Sequence, residues 1–186
     1  VTRGTFQLPM EPLRKNERGR VKPLPDIKSY ALRLLGIRDR SEYELRIKLQ
    51  DKGYDPEMIS GTIDQLKDAG FIDDRKTAES IIRYCKEGKL LGENGTKHYL
   101  KKRGIPEEII AQMTTSAGEQ IENAKILISK REKYLKKLPL KVKINRLYGQ
   151  LQRKGYGYEI INRVIREYED LCKRGAAAES ERAEMR

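Results

Sequence analysis

"LQDKGYDPEMI" occupies residues 49–59, and nearly the same phrase returns as "LKKRGIPEEII" at 100–110 and "LQRKGYGYEII" at 151–161. The offset is 51 residues both times, without slippage. The shared pattern, L-x-x-[KR]-G-[YI]-x-x-E-[MI]-I, gives each position a task at a helix terminus. Gly53, Gly104 and Gly155 stand where a left-handed residue ends a helix, because glycine takes positive φ without a Cβ penalty. Lys52, Arg103 and Lys154 precede them and put a cation at the negative end of the helix dipole. Tyr54, Ile105 and Tyr156 follow, and in a Schellman cap each folds back on Leu49, Leu100 or Leu151. A second helix then starts. Asp55-Pro56-Glu57 supplies an N-cap, a proline at the first helical position and an acid in the first turn. Glu108 and Glu159 repeat the acid, while Pro106 and Gly157 take the slot of Asp55. The motif by itself is structural, a tight joint between two helices. Its fixed period says more, because it marks stacked units each too small to bury its own apolar face.

Working outward from the three joints, the chain divides into five stretches. Residues 1–27 hold four of the seven prolines and no periodicity, which predicts a flexible, basic N-terminal arm. Residues 28–70 form the first repeat: "DIKSYALRLLGI", then "SEYELRIKLQDKG" opened by a capping box of Ser41 and Glu44, then "DPEMISGTIDQLKDAG" with Ile59, Ile63 and Leu66 on one face. Residues 71–118 form the second. Asp73 is its expected N-cap, Ala78, Ile81, Ile82 and Cys85 its expected buried face, and "KLLGENG" its loop ahead of "TKHYLKKRG" and "IPEEIIAQM". Residues 119–172 form the third, and 173–186 a helix-prone tail with no apolar face, expected to fray. Apolar residues recur at helical spacing and never alternate as in strands. The expected fold is all-α: three tandem three-helix repeats stacked into an elongated, curved, solenoid-like chain.

Composition narrows the function. Charged residues make up 37% of the 186, the net charge is +12 and the pI is near 9.6, which favours a polyanionic partner or an acidic protein surface. Cys85 and Cys172 lack CxxC spacing and suit a reducing compartment. No apolar run approaches the ~18–20 residues that span a bilayer, and the basic N-terminal stretch lacks a signal-peptide core, so a cytoplasmic protein is expected. His98 is the only histidine, which leaves no Ser–His–Asp or Cys–His set. "GENGTK" at 92–97 lacks phosphate-loop spacing and reads as a surface loop. Asp73 and Asp74 have no further carboxylates at metal-ligand spacing, and capping accounts for them. No catalytic residue, metal or cofactor is expected.

The charge map is more specific. Between Lys125 and Lys154 lie eleven basic residues against the single acid Glu132, whereas the charges of the first repeat cancel, eight against eight. On a helical wheel Lys125, Lys130, Lys133, Lys136 and Lys137 share one arc, opposite Leu127, Ile128, Leu135 and Leu138. Arg131 falls among the apolar positions, which suggests a buried partner or a snorkelling side chain. A charge run is usually a solvated face. Here the balancing acids are missing, and so concentrated a field repels itself unless something negative visits it.

Three phrases in register carry a family resemblance: "RDRSEYELRIKL" in the first repeat, "GFIDDRKTAE" opening the second and "KVKINRL…GY" in the third. Over about residues 28–170 the chain resembles the RecX family of bacterial recombinase regulators. The specific parts are Ser41, Glu44 and Leu45, and Gly70, Phe71, Asp73 and Asp74; "GENG" only loosely represents the family's Gly-x-Gly. The resemblance implies a non-enzymatic modulator that lodges in the helical groove of the RecA–DNA filament, and a monomer is expected. It would restrain ATP hydrolysis, strand exchange and coprotease activity, as part of the control of DNA repair and the SOS response. Lys130, Lys133, Lys137, Lys141, Lys143 and Arg146 are the expected binding residues, with Lys101, Lys102 and Arg103 second. Two rivals are a direct, mostly nonspecific binder of single- or double-stranded DNA, and a scaffold for an acidic protein alone. Specific base readout is disfavoured, since no helix carries a compact Asn/Gln/Arg set at groove-facing spacing.

Overall fold

Gly53, Gly104 and Gly155 lie in the left-handed region, at φ 98°, 70° and 79°. Their backbone N–H groups donate to Gln50, Lys101 and Gln152 at 2.9 Å each. The next residues, Tyr54, Ile105 and Tyr156, donate back to the carbonyls of Leu49, Leu100 and Leu151 at 3.3, 3.1 and 3.2 Å. This is the Schellman pattern, and its apolar seal is present because all six of these side chains are buried. Gly70 (φ 74°) closes a fourth helix in the same way, with Phe71 and Ile72 both returning to the carbonyl of Leu66.

The structure, a computed structural model, describes residues 24–113 and 116–184. Among them every regular element is helical: α1 (Ile27–Ile37), α2 (Glu42–Lys52), α3 (Pro56–Asp68), α4 (Asp74–Tyr84), α5 (Glu93–Lys102), α6 (Glu107–Gln112), α7 (Ala117–Leu135), α8 (Leu140–Arg153) and α9 (Tyr158–Glu184). The chain forms two compact units, residues 1–73 and 74–186.

The first unit holds α1–α3. Asp26, Ser41 and Asp55 cap the three helices by accepting from the backbone of Ser29, Glu44 and Glu57. The core is Ala31, Leu34, Leu45, Leu49, Ile59, Ile63 and Leu66, with Ile27 and Ile72 closing it. Burial of each large aliphatic side chain here contributes about 1.5–3 kcal/mol. Helix α1 begins one residue before the expected boundary, and Ile27 is buried rather than part of an arm. The Tyr54 hydroxyl donates to the Pro25 carbonyl at 2.8 Å, tying the approach to α1 onto the first joint. The rest of the arm, residues 1–23, lies outside the described residues.

The second unit holds α4–α9 around two cores. Ala78, Ile81, Cys85, Leu100, Ile105 and Ile110 form one, with Ile82 half-buried at its margin rather than inside it. Ile121, Ala124, Leu127, Ile128, Leu147, Leu151, Tyr156, Ile161, Val164, Ile165 and Tyr168 form the other. Leu90 belongs to this second core although its place in sequence is with the first. It gets there because α4 loosens into a π-helical turn over Cys85–Lys89 and ends at Leu90 with φ 49°, a costly left-handed conformation for leucine.

Three sequence expectations change here. "GENGTK" is not a surface loop, because α5 starts at Glu93 and Gly92 is buried. Gly92 N–H donates to the Lys154 carbonyl and Asn94 N–H to that of Gly155, each at 3.0 Å. The stretch from 173, expected to fray, continues α9 as helix through Glu184. Helix α7 starts at Ala117, two residues ahead of the expected boundary.

Candidate polyanion-binding groove

Helices α7 and α8 are joined by a four-residue turn in which the Pro139 carbonyl accepts from Val142 and Lys143, both at 3.0 Å. Core contacts orient both helices. Ile121, Ala124, Leu127 and Ile128 face inward from α7, and Leu147 and Leu151 from α8. The fully buried positions of α7 stop at Ile128, and Leu135 packs half-buried at the margin of that core. A groove of about 650 Å³ opens there. Its α8 wall is Val142, Asn145, Arg146, Gly149, Gln150 and Arg153, one helical face at spacings of three and four residues. Arg131, Tyr134 and Leu135 supply the α7 wall, and Lys154 closes the end.

Of the two readings of Arg131, the buried partner is ruled out. It is exposed on the groove rather than inserted among leucines. Tyr134 beside it is 71% exposed, with the Lys133 ammonium 5.2 Å from its ring centroid.

Lys130, Lys133, Lys136, Lys137, Lys141 and Arg146 are exposed, and Lys143 is half-buried. Among the described residues none of these makes an ion pair, nor do Arg131 and Arg153. The one acid in the stretch, Glu132, is half-buried and accepts from the Tyr168 hydroxyl at 3.3 Å. Lys125 leaves the field by pairing with Glu167 at 3.0 Å and Glu122 at 3.4 Å, and these bonds hold its ammonium above the usual range. The first unit is the opposite case. Glu42 takes both Lys67 (2.8 Å) and Arg46 (3.2 Å), chiefly Lys67 holds its carboxyl below the usual range, and Arg38 pairs with Glu44 at 2.9 Å.

The second-rank residues sit elsewhere, at the end of α5. Lys101 pairs with Glu107 at 3.0 Å, Lys102 is exposed, and Arg103 is the half-buried C-cap. Lys154 is half-buried too, and its ammonium donates to the Lys89 carbonyl at 2.6 Å. Burial first, then the charges of Lys89 and Arg131, lower its pKa. The groove residues beyond the expected set are Arg131, Tyr134, Asn145, Gln150, Arg153 and Lys154. The i, i+3, i+4, i+7 run through Arg146, Gly149, Gln150 and Arg153 is the signal that finds two of them, Gln150 and Arg153. Among the described residues no His, Cys, Asp or Glu group could hold a metal ion, and no helix is long and apolar enough to cross a membrane.

Comparison with known proteins places this geometry in a family. The model described as "RecX, first three-helix domain" matches residues 28–66, and "RecX, third three-helix domain" matches 118–165. A "Regulatory protein RecX" of Mycobacterium sp. (strain KMS) is 35% identical over 147 residues, covering 74% of this chain and 78% of its own length. That of Clostridium botulinum (strain Alaska E43 / Type E3) is 35% identical over 132 residues, but the chain spans only 61% of its length. The crystal structure of RecX from Lactobacillus salivarius superposes with a TM-score of 0.68 at 28% identity, covering 78% of this chain and 95% of that one.

Proposed function

The chain belongs to the RecX family of regulatory proteins, and from that premise we propose that it is a non-enzymatic regulator of the RecA recombinase, acting in the cytoplasm as a monomer. It binds the RecA–DNA filament in its helical groove and restrains ATP hydrolysis, strand exchange and coprotease activity. Kinship over most of residues 28–165 is the observation that carries this reading. The cationic groove supports it physically. A field of unpaired lysines and arginines attracts phosphates or acidic protomer surfaces, and binding phosphate releases condensed counterions. The neutral first repeat and the basic third give the molecule two unlike surfaces for an asymmetric assembly.

Titrating the protein into recombinase turning over ATP on single-stranded DNA tests the proposal. Dose-dependent inhibition is expected. Equal affinity for naked duplex and for recombinase-coated DNA would instead favour a general DNA binder.

A further inference from the structure

The groove and the joint between the second and third repeats share one residue, Lys154. Four hydrogen bonds tie residues 89–94 to residues 154–156 of the third repeat. They are Lys154 Nζ to the Lys89 carbonyl (2.6 Å), Gly92 N–H to the Lys154 carbonyl (3.0 Å), Asn94 N–H to the Gly155 carbonyl (3.0 Å) and the Tyr156 hydroxyl to the Leu90 carbonyl (3.2 Å). Gln120 adds a fifth and sixth contact, both with Glu93 at 3.3 Å. The donor of the first bond is a half-buried cation with like charges around it. The Lys154 ammonium is desolvated and repelled by Lys89 and Arg131. Among the described residues no carboxylate pairs with any of the three. The Lys89 ammonium lies over the rings of Tyr84 and Tyr99, at 5.4 and 5.2 Å.

Resting on the reading of the groove as a polyanion site, we propose that its Arg131–Lys154 end is a phosphate subsite that works as a clasp. A phosphate of a nucleic-acid strand seated there offsets the repulsion between Arg131 and Lys154 and tightens the grip of residues 154–156 on residues 89–94. A nucleic-acid phosphate fits better than a protein carboxylate. Arg131, Arg146 and Arg153 present planar forks along a groove whose wall also carries the exposed ring of Tyr134, a stacking platform for a base. Linkage makes the effect reciprocal: whatever anion binding adds to the joint, a closed joint adds to anion affinity.

Hydrogen exchange of the Gly92 and Asn94 amides in the full chain reads the joint, and fluorescence anisotropy of a labelled single-stranded oligodeoxynucleotide reads the groove. The oligonucleotide, and inorganic tripolyphosphate in its place, should slow exchange at both amides roughly two- to fivefold, the size of one solvent-screened charge contact. Arg131→Gln should slow the same amides without any ligand and abolish the further effect of the oligonucleotide; a purely structural role for Arg131 would speed them. Binding with unchanged exchange, or faster exchange in Arg131→Gln, overturns the clasp and leaves the groove standing as a polyanion site. Failure of both phosphate probes to bind overturns the groove itself. An equal effect from polyglutamate overturns the assignment to phosphate.

Discussion

A Cβ placed on Gly155 would stand 2.1 Å from the backbone nitrogen of Gly95, and one placed on Gly95 would stand 2.3 Å from the carbonyl oxygen of Lys154. Two segments sixty residues apart thus meet backbone to backbone, and three glycines separate the two costs of substitution. Gly70→Ala meets open space and carries only left-handed strain, about 1–2 kcal/mol. Gly95→Ala carries only the clash, and Gly155→Ala carries both. Denaturant unfolding should rank them Gly70→Ala mildest and Gly155→Ala most severe. If Gly155→Ala proved as mild as Gly70→Ala, the repeats would not meet this closely in solution.

What was legible in the sequence follows from the range of the interactions. Helix caps are local, so Leu49 with Tyr54 and Leu151 with Tyr156 could be paired from spacing alone. The clasp between Gly92 and Lys154 has no side-chain signature, since backbone amides and carbonyls are common to every residue and glycines in "GENGTK" read equally well as a loop. The groove was half visible. The lysines around it announce themselves by charge, but of the expected binding residues only Arg146 lines it, and an ideal wheel set Arg131 among apolar positions without showing that it faces a groove. The helix beyond Cys172 illustrates the converse error. It has no apolar face to predict it, yet Ala176, Ala177 and Ala178 are strong helix formers and simply extend α9.

Charge reversal tests the basic helices. Lys133→Glu, Lys137→Glu and Lys143→Glu in one protein should abolish inhibition of the recombinase ATPase while leaving helical circular dichroism and melting temperature within a degree or two, because none of the three supports an ion pair. Inhibition equal to the parent protein would exclude this surface from the mechanism. Lys101→Glu with Lys102→Glu, at the end of α5, should have the smaller effect, since Lys101 is already engaged by Glu107.

Salt dependence separates contact from general attraction. Each phosphate neutralised on a single strand adds about 0.7 to the slope of log affinity against log salt. Arg146→Gln and Arg153→Gln should each flatten the slope for an oligodeoxynucleotide by about that amount. Both line the same wall of α8, so the double variant should lose both increments. Unchanged slopes would show that these arginines attract from a distance without touching phosphate.

The hydroxyl of Tyr156 supplies an alkaline test of the same joint. Burial raises it from the usual 10 to about 12. In that window the unfolded chain releases the proton while the folded chain keeps it, so stability is whole below pH 10 and falls as pH rises toward 12. Tyr156→Phe keeps the ring in the core but removes the bond to the Leu90 carbonyl, which should cost about 1–3 kcal/mol at neutral pH. Over the alkaline window the variant should lose stability more slowly than the parent. Some slope should remain, because burial also raises Tyr168. Denaturant midpoints measured from pH 8 to pH 11.5 decide it. Parallel curves for the two proteins would mean that Tyr156 is solvated in solution and that Leu90 is held by something else.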